Sequence, residues 1–259
     1  IIDNSTLMIP CAGLGSRFQK EGYKYPKPLI KVGGKSMLIQ AINDLLLFKY
    51  KKVILRKNIQ HIELLKNELK ENFPDINIQI LPEETDGQAS TCLMGLENIE
   101  KDYPLVISAC DNGIIYNEKS FYNLIKDKSI DILVWGCRNY PGAIKQPEMY
   151  GWIEEKGGKI KKIHVKKPFN DPSNDPIVTG TFYFQKASIY QKIAEDLIKN
   201  NERVNNEFYV DSCINNAIDM GYKVALFEID YYVCWGTPNE LMTFKYWQEC
   251  FSKLDYHIY

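Results

Sequence analysis

The sequence lacks the cysteine and histidine spacings that mark structural metal sites and disulfide frameworks. Its seven cysteines are scattered without a CxxC pair, and its three histidines are equally dispersed. Cysteines paired at short spacing are the usual signature of zinc sites and of small disulfide-stapled domains. The sequence therefore predicts reduced thiols, no His/Cys metal cage and a cytoplasmic location.

Long apolar runs and a strong net charge are also missing. No stretch approaches the roughly 20 apolar residues that cross a bilayer, and no signal peptide is visible. The net charge of −1 over 259 residues argues against a broad basic face for nucleic acid. We expect no membrane and no nucleic-acid partner. The composition, 45% hydrophobic and 25% charged, suits a single domain over residues 1–259. A first residue that is Ile1 rather than Met indicates a processed chain or a piece of a longer one.

What the sequence does contain is a pattern in which strands and helices alternate. Ser36 precedes apolar residues at helical spacing and could cap that helix. Strands are predicted at 52–55 and 76–80, the latter near a sheet edge, and a helix at 59–73 that Pro74 ends. Such alternation is typical of parallel strands joined by crossover helices.

The most informative stretch is residues 8–30, MIPCAGLGSRFQKEGYKYPKPLI. An apolar run ending at Cys11 is typical of a buried strand, and two glycines then interrupt it. Glycines permit positive φ and close approach, and successive N–H groups in such a turn bind anions. Arg17 and Lys27 follow, and their charges can neutralise a pyrophosphate leaving group. The alternative is a tight connection with solvent-facing Arg17 and Lys27. The predicted nucleotide-binding residues of the turn are Ala12, Gly13, Leu14, Gly15 and Ser16.

This turn has neither the GxGxxG order of dinucleotide folds nor the GK[ST] ending of a P-loop. GLGSRF followed by YPKPLI instead closely resembles the sugar-phosphate nucleotidyltransferase family, and the resemblance runs from Ile9 to about Leu241. It implies a three-layer α/β sandwich around a mainly parallel, Rossmann-like sheet, with a small β-rich substrate region at about 140–185. It also implies Mg²⁺ as cofactor, a nucleoside triphosphate (CTP, UTP or dTTP) and a phosphorylated small molecule.

An aspartate follows the apolar run of residues 105–110. Ligands of open α/β sheets collect beyond the carboxyl ends of the strands, and the resemblance assigns Asp111 to Mg²⁺. The alternative is an Asx-turn through Asn112 and Gly113.

A second glycine-containing segment surrounds Gly87 and Gln88. By resemblance these two residues read the edge of the nucleobase, since a glutamine side chain both donates and accepts. The alternative, compatible with the first, is an N-cap turn in which Thr85 or Asp86 caps the next helix.

The resemblance also implies an acceptor side. A hairpin around Gly157 and Gly158 closes over the substrate, and its family motif Glu-Lys-Pro is here Lys166-Lys167-Pro168. Lys167 retains the phosphate-binding lysine, whereas Lys166 replaces an acid and either suits an anionic acceptor or points to solvent. Gly180 marks either a backbone on which substrate lies or a β-bulge. Glu207 either binds substrate or serves an ion pair or cap. The predicted acceptor-side residues are Gly151, Lys166, Lys167, Gly180 and Glu207.

The family's second metal aspartate is replaced by Cys234, and a thiol is a poor Mg²⁺ ligand. Mg²⁺ then rests on Asp111, phosphates and water, or Asp230 or Asp211 substitutes. The last predicted helix begins near Asn239, and its aromatic residues indicate core or subunit packing, which includes a possible homo-oligomer.

The predicted activity is a nucleotidyltransferase reaction that joins a nucleoside triphosphate to a phosphorylated metabolite, with release of pyrophosphate. Arg17, Lys27 and Lys167 are its predicted catalytic residues, and capsule or lipopolysaccharide synthesis is the expected context. Three alternatives stay open: a CTP-dependent enzyme for a non-sugar metabolite, a non-catalytic nucleotide sensor, and a retaining glycosyltransferase, whose DxD motif Asp111-Asn112-Gly113 lacks.

Overall fold

A nine-stranded sheet forms the centre of the protein. The computed structural model describes residues 1–254. Within that range, the strands in chain order are β1 (Ile2–Cys11), β2 (Lys31–Val32), β3 (Lys35–Ser36), β4 (Phe48–Arg56), β5 (Asn77–Leu81), β6 (Leu105–Ile107), β7 (Asn112–Ile115), β8 (Ile132–Cys137), β9 (Trp152–Lys156), β10 (Lys159–His164), β11 (Ile177–Phe184), β12 (Val224–Glu228) and β13 (Tyr231–Cys234).

Helices connect most of these strands. In chain order they are α1 (Ser16–Lys20), α2 (Met37–Asn43), α3 (Ile62–Asn72), α4 (Gln88–Met94), α5 (Glu118–Lys126), α6 (Pro141–Lys145), α7 (Ala187–Lys199), α8 (Val210–Asp219) and α9 (Pro238–Ser252), with short 3-10 turns at Lys27–Leu29 and Pro147–Met149. Ser36 does precede α2, but its hydroxyl makes no capping hydrogen bond. The helix is therefore held by its buried apolar residues.

The sheet has the strand order β5-β4-β1-β6-β11-β8-β12-β10-β9. The pairs β5/β4, β4/β1, β1/β6 and β8/β12 are parallel. The strand β11 runs antiparallel to β6 and β8, and the β9/β10 hairpin extends the edge next to β12. The sheet is thus parallel in its amino-terminal half and mixed beyond β6. The expected edge position of residues 76–80 is confirmed, because β5 is the first strand.

Helices cover both faces of the sheet. Leu7 and Ile9 of β1 belong to one buried cluster with residues of α2, α3 and α5, while Met8 belongs to a second cluster with residues of α4, α7 and α8. Successive side chains of a strand point to opposite faces. This arrangement is the expected three-layer sandwich.

The strand β11 differs from expectation, since residues 177–184 were assigned to a β-rich insertion. It lies instead in the middle of the main sheet, between β6 and β8. Phe182 and Tyr183 point to opposite faces and join the two different clusters, so both faces of the strand are covered. The β9/β10 hairpin, whose turn residues Gly157 and Gly158 have φ of 60° and 78°, lies at the other end of the same sheet.

Near the carboxyl terminus, β13 pairs antiparallel with β7 in a separate two-stranded sheet and places Cys234 opposite Asn112. Thr237 caps α9, because its Oγ1 accepts a hydrogen bond from the Glu240 N–H at 3.2 Å. Leu241 of α9 is buried, whereas Trp247 is 49% exposed. Among residues 1–254, no helix is both long and apolar enough to span a membrane.

Candidate active site

A cavity of about 430 Å³ opens beyond the carboxyl ends of β1 and β6. Open α/β sheets bind ligands at this end. The predicted residues that line it are Ala12, Gly13, Leu14, Gly15, Ser16, Lys27, Gly87, Gln88, Asp111 and Glu207. Ten of the sequence-predicted positions, the first at Ala12 and the last at Glu207, therefore meet around one space.

The glycine turn forms one wall of this cavity. Gly15 has a φ of 62° and precedes the short helix α1. The backbone N–H groups of Gly13, Leu14 and Gly15 donate no hydrogen bond to any residue in the described part of the chain. A Cβ added at Gly13 would meet no atom within 4 Å, and one added at Gly15 would lie 3.2 Å from the Lys27 Cβ. The turn therefore offers free donors and room for an anion close to its backbone.

Lys27 reaches the floor of the cavity from the 3-10 turn Lys27–Leu29, where Pro26 and Pro28 restrict the backbone. Its Nζ forms an ion pair with Asp111 Oδ2. Burial by itself lowers the pKa of Lys27, but the Asp111 carboxylate outweighs this effect, and the net pKa lies above the ordinary lysine value. Lys27 therefore stays charged, and the solvent-facing alternative is wrong for it.

The Asp111 carboxylate accepts a hydrogen bond from Lys27 Nζ rather than from a backbone N–H of a turn that follows it. The next residue, Asn112, begins β7. The Asx-turn alternative is therefore wrong. Gly236 makes the arrangement possible, because a Cβ there would lie 2.8 Å from Asp111 Oδ2.

Cys234 stands where the second metal aspartate was expected, and its thiol is already engaged in a hydrogen bond. Cys234 Sγ donates to Glu240 Oε2 at 2.9 Å. Burial, with the neighbouring Asp111 and Glu240 charges, raises the pKa of Cys234, so the thiol stays protonated. Glu240 also accepts a 2.5 Å hydrogen bond from the Tyr150 hydroxyl.

These residues fit only a sparse metal site. Among residues 1–254, no group of three or more His, Cys, Asp or Glu side chains could hold a metal. Asp230 is exposed, and Asp211 lies beside Gly151, whose added Cβ would meet its Oδ2 at 2.4 Å. Neither residue lines the cavity. Mg²⁺ is commonly held by one or two carboxylates together with substrate phosphates, and Asp111 alone suits that mode.

The segment before α4 forms the opposite wall. Gly87 is the residue before the helix, with a φ of 123°, and no side chain caps α4. The prediction that Thr85 or Asp86 caps it is therefore wrong: the Thr85 hydroxyl bonds to the Gly87 carbonyl and to Thr91 instead. A Cβ at Gly87 would lie 2.6 Å from the Phe208 N, because residues 207–209 pack directly on this segment.

On the acceptor side, Lys166 points inward rather than to solvent. Its Nζ donates to the Met149 carbonyl at 2.5 Å and lies 5.9 Å from the centre of the Tyr209 ring. Tyr209 itself lines the cavity. Lys166 also has an uncommon positive φ of 55°.

The remaining predicted residues lie elsewhere. Lys167 is exposed and lines a separate cavity. Arg17 is exposed and does not line the cavity, but it is near enough to Tyr209 to counteract part of the pKa increase that burial and Glu207 cause in that phenol. Gly180, with a φ of 83°, sits in a register irregularity of β11, and its carbonyl accepts from Ala109 N–H at 3.1 Å. The β-bulge alternative for Gly180 is confirmed.

Three residues were missed in the sequence. Asn112 is 3% exposed, and its Oδ1 has no hydrogen-bond partner in the described part of the chain. Cys11 and Cys110 both line the cavity, and the hydrogen bond between their thiols raises the pKa of Cys11 and lowers that of Cys110. Cys11 is the last residue of β1 and Cys110 follows β6, and the apolar run before each cysteine was the signal available in the sequence.

Known proteins share this architecture. The nucleoside-diphosphate-sugar pyrophosphorylase of Vibrio cholerae superposes with a TM-score of 0.75 at 19% identity, over 92% of this chain and 98% of that one. The inositol-1-phosphate CTP transferase of T. maritima gives 0.72 at 13% identity, over 96% and 97%. These likenesses confirm the α/β fold class.

Sequence comparison gives the family. The bifunctional protein GlmU of Buchnera aphidicola subsp. Schizaphis graminum is 26% identical over 216 residues, which are 82% of this chain and 43% of that protein. This chain thus spans less than half of that relative. The family model for nucleotidyl transferases matches residues 7–248. The family expected from the sequence is confirmed, and the chain belongs to the nucleotidyl transferase family.

Proposed function

We propose that this chain transfers a nucleotidyl group from a nucleoside triphosphate to a phosphorylated small molecule, with release of pyrophosphate. The observation that carries the proposal is the Lys27–Asp111 ion pair on the floor of a cavity whose wall is the Gly13–Gly15 turn. A cation, an acid and free backbone donors in one space suit a polyphosphate better than a neutral ligand.

In this reaction a phosphate oxygen of the acceptor attacks the α-phosphorus in line, and the bond from that phosphorus to the pyrophosphate oxygen breaks. The acceptor phosphate is already a competent nucleophile, so the residues position the reactants and stabilise charge. Free N–H groups of the turn hold phosphate oxygens, and Lys27 and Arg17 stabilise the negative charge that leaves with pyrophosphate. Asp111 would hold Mg²⁺, which when bound supplies further neutralisation of the phosphates.

The nucleobase and the acceptor phosphate are assigned to different residues of the site. Gly87 and Gln88 face the cavity at the start of α4 and are proposed to contact the base, with CTP, UTP or dTTP as the donor. We assign the acceptor phosphate to the side of Tyr209 and Lys166, rather than to Lys167. The activated product would serve surface polysaccharide synthesis, either capsule or lipopolysaccharide.

A second candidate is a CTP-dependent reaction on a small non-sugar metabolite that carries a further anionic group. The inward direction of Lys166 supports it, since a cation beside the acceptor favours a carboxylate or second phosphate. Asp211 offsets part of this charge, because Lys166 and Asp211 interact electrostatically.

The test is pyrophosphate release, measured with each common triphosphate against glucose 1-phosphate, other sugar phosphates and acidic phosphorylated acceptors. We expect one pair to turn over. Binding of a triphosphate without release with any acceptor would favour the sensor instead.

Lys166→Gln then separates the two acceptor classes, with Lys161→Gln as a control on the neighbouring exposed hairpin surface. Loss of turnover on acidic acceptors alone favours the second candidate. An enzyme that prefers glucose 1-phosphate and is unaffected by Lys166→Gln would eliminate it.

A further inference from the structure

A second cavity, of about 390 Å³, lies outside the nucleotide site. Its walls are the end of β10 with the residues after it, the loop at 202–204 and the first half of α8. The segment from 202 to 212 contributes to both cavities, since Glu207 and Tyr209 line the first, and Arg203 and Ser212 line the second. The two spaces are therefore separate but share a wall.

The cavity is basic. Four groups that carry or can carry positive charge line it, namely Lys162, His164, Lys167 and Arg203, against the one acid Glu202. Glu202 accepts a hydrogen bond from Asn216 Nδ2 at 3.4 Å, and His164 forms a hydrogen bond with Glu154 at 2.9 Å. The ammonium groups of Lys162 and Lys167 form no ion pair or hydrogen bond with any residue from 1 to 254. Two uncommitted ammonium groups thus line one solvent-open cavity.

A serine that is almost fully buried lies in the same wall. Ser212 is 8% exposed and lines the cavity, yet its side chain has no hydrogen-bond partner within the described range. Buried polar side chains are normally hydrogen-bonded, so an available donor here suits a ligand oxygen.

The wall is also rigid. Asn215 pairs with the Ile163 backbone like a neighbouring strand, since its Oδ1 accepts at 2.8 Å and its Nδ2 donates at 2.9 Å. These two hydrogen bonds hold α8 against β10, so the backbones that carry Ser212 and Lys162 have a defined spacing. The wall is therefore formed before any ligand arrives, and the cost of binding is the ordering of the lysine side chains.

We propose that this cavity is a binding site for a phosphorylated small molecule, distinct from the nucleotide and acceptor sites. Lys162 and Lys167 pair with its phosphate oxygens, and the Ser212 hydroxyl donates a hydrogen bond to it. Phosphate esters and diphosphates of metabolite size fit the volume. The inference does not depend on the proposed reaction.

Pyrophosphate is the probe, because it is small and should occupy both sites. Calorimetric titration of the whole chain is expected to show two sites, of which Lys27→Ala weakens one. Adding Lys162→Gln and Lys167→Gln to Lys27→Ala should weaken the remaining site by about 10-fold or more, since each charge-assisted hydrogen bond contributes strongly. Arg203 is left unchanged because it holds Asp86 at 2.9 Å, next to the nucleotide cavity.

The matched control is Lys156→Gln with Lys161→Gln, which removes the same charge from exposed positions of the same hairpin. Ser212→Ala gives a second, uncharged test and should also weaken the remaining site. The inference is overturned if Lys27→Ala binds no pyrophosphate, or if the control pair weakens binding as much as Lys162→Gln with Lys167→Gln. A second site that persists while no acceptor is ever converted would instead refute only the proposed reaction.

Discussion

Lys27 and Asp111, which are 84 residues apart in the sequence, form an ion pair in the cavity beyond β1 and β6. Their side chains are 21% and 25% exposed, so the pair lies at the boundary between the core and the open cavity. Each group neutralises the other in the unliganded protein. A bound triphosphate with its metal would replace this single pair by separate contacts, Lys27 to phosphate and Asp111 to the cation.

Lys27 is expected to serve activity far more than folding. Lys27→Ala should lower turnover by about 100-fold or more, the effect of losing one oriented charge. Because Asp111 still faces an open cavity, the free energy of unfolding should fall by only about 1 kcal/mol or less. Turnover and urea unfolding measure the two effects, and exposed Lys24→Ala is the control. Normal turnover of Lys27→Ala would refute the assignment.

Asp111 and Cys234 should respond differently to isosteric changes. Asp111→Asn keeps the shape but removes the carboxylate, so we expect turnover to fall about 100-fold or more and the Mg²⁺-dependent rise in melting temperature with nucleotide to disappear. Cys234→Ser retains a donor for Glu240 and should keep both properties. If Cys234→Ser is inactive while Asp111→Asn is not, the metal is held elsewhere.

Substitutions at two glycines of the cavity should have different effects, one on nucleotide binding and the other on stability. Gly13→Ala puts a methyl group into open space, so we expect stability to change by about 0.5 kcal/mol or less, while nucleotide affinity falls about 10-fold. Gly87→Ala instead collides with the Phe208 backbone at a positive φ and should cost about 2 kcal/mol or more. Urea unfolding measures the stability of each variant, and equilibrium binding measures its nucleotide affinity. The prediction is wrong if Gly13→Ala and Gly87→Ala change stability and affinity alike.

Asp211 should make stability depend on pH. Burial raises its pKa above the ordinary 3.8, and Lys166 counteracts only part of this. The folded pKa therefore exceeds the unfolded one, so the cost of ionisation is absent below the unfolded value and fully present above the folded one. Asp211→Asn should gain stability relative to the wild type as pH rises from about 3 to about 7.

Unfolding free energies at several pH values measure this difference. Asp230→Asn, at an exposed position, is the control and should show no such trend. A difference between Asp211→Asn and the wild type that stays constant, or that shrinks as pH rises, would contradict the assignment.

Much of the fold followed from local patterns in the sequence. The apolar run that ends at Cys11, the helical spacing around Leu65 and Leu69, and the Gly157-Gly158 turn each specify an element from neighbouring residues alone. The glycine turn and the cation that faces it were equally readable, because the order of glycines and charge near Gly13 and Lys27 matches the chemistry of phosphate binding. These features depend on short-range geometry, so they survive without knowledge of the packing.

The tertiary structure decided which distant side chains meet. The insertion of β11 between β6 and β8 could not be predicted, since strand order depends on long-range pairing and not on apolar content. Lys166 contacts Met149 and Tyr209, whereas the adjacent Lys167 lines the second cavity, and no propensity of lysine indicates this difference. The hydrogen bond from Cys234 to Glu240 likewise depends on how α9 packs behind β13. The sequence determined the chemistry that the chain carries, and the tertiary structure determined which of its charged groups share a cavity, because contacts between remote residues are set by the packing of the sheet and its helices.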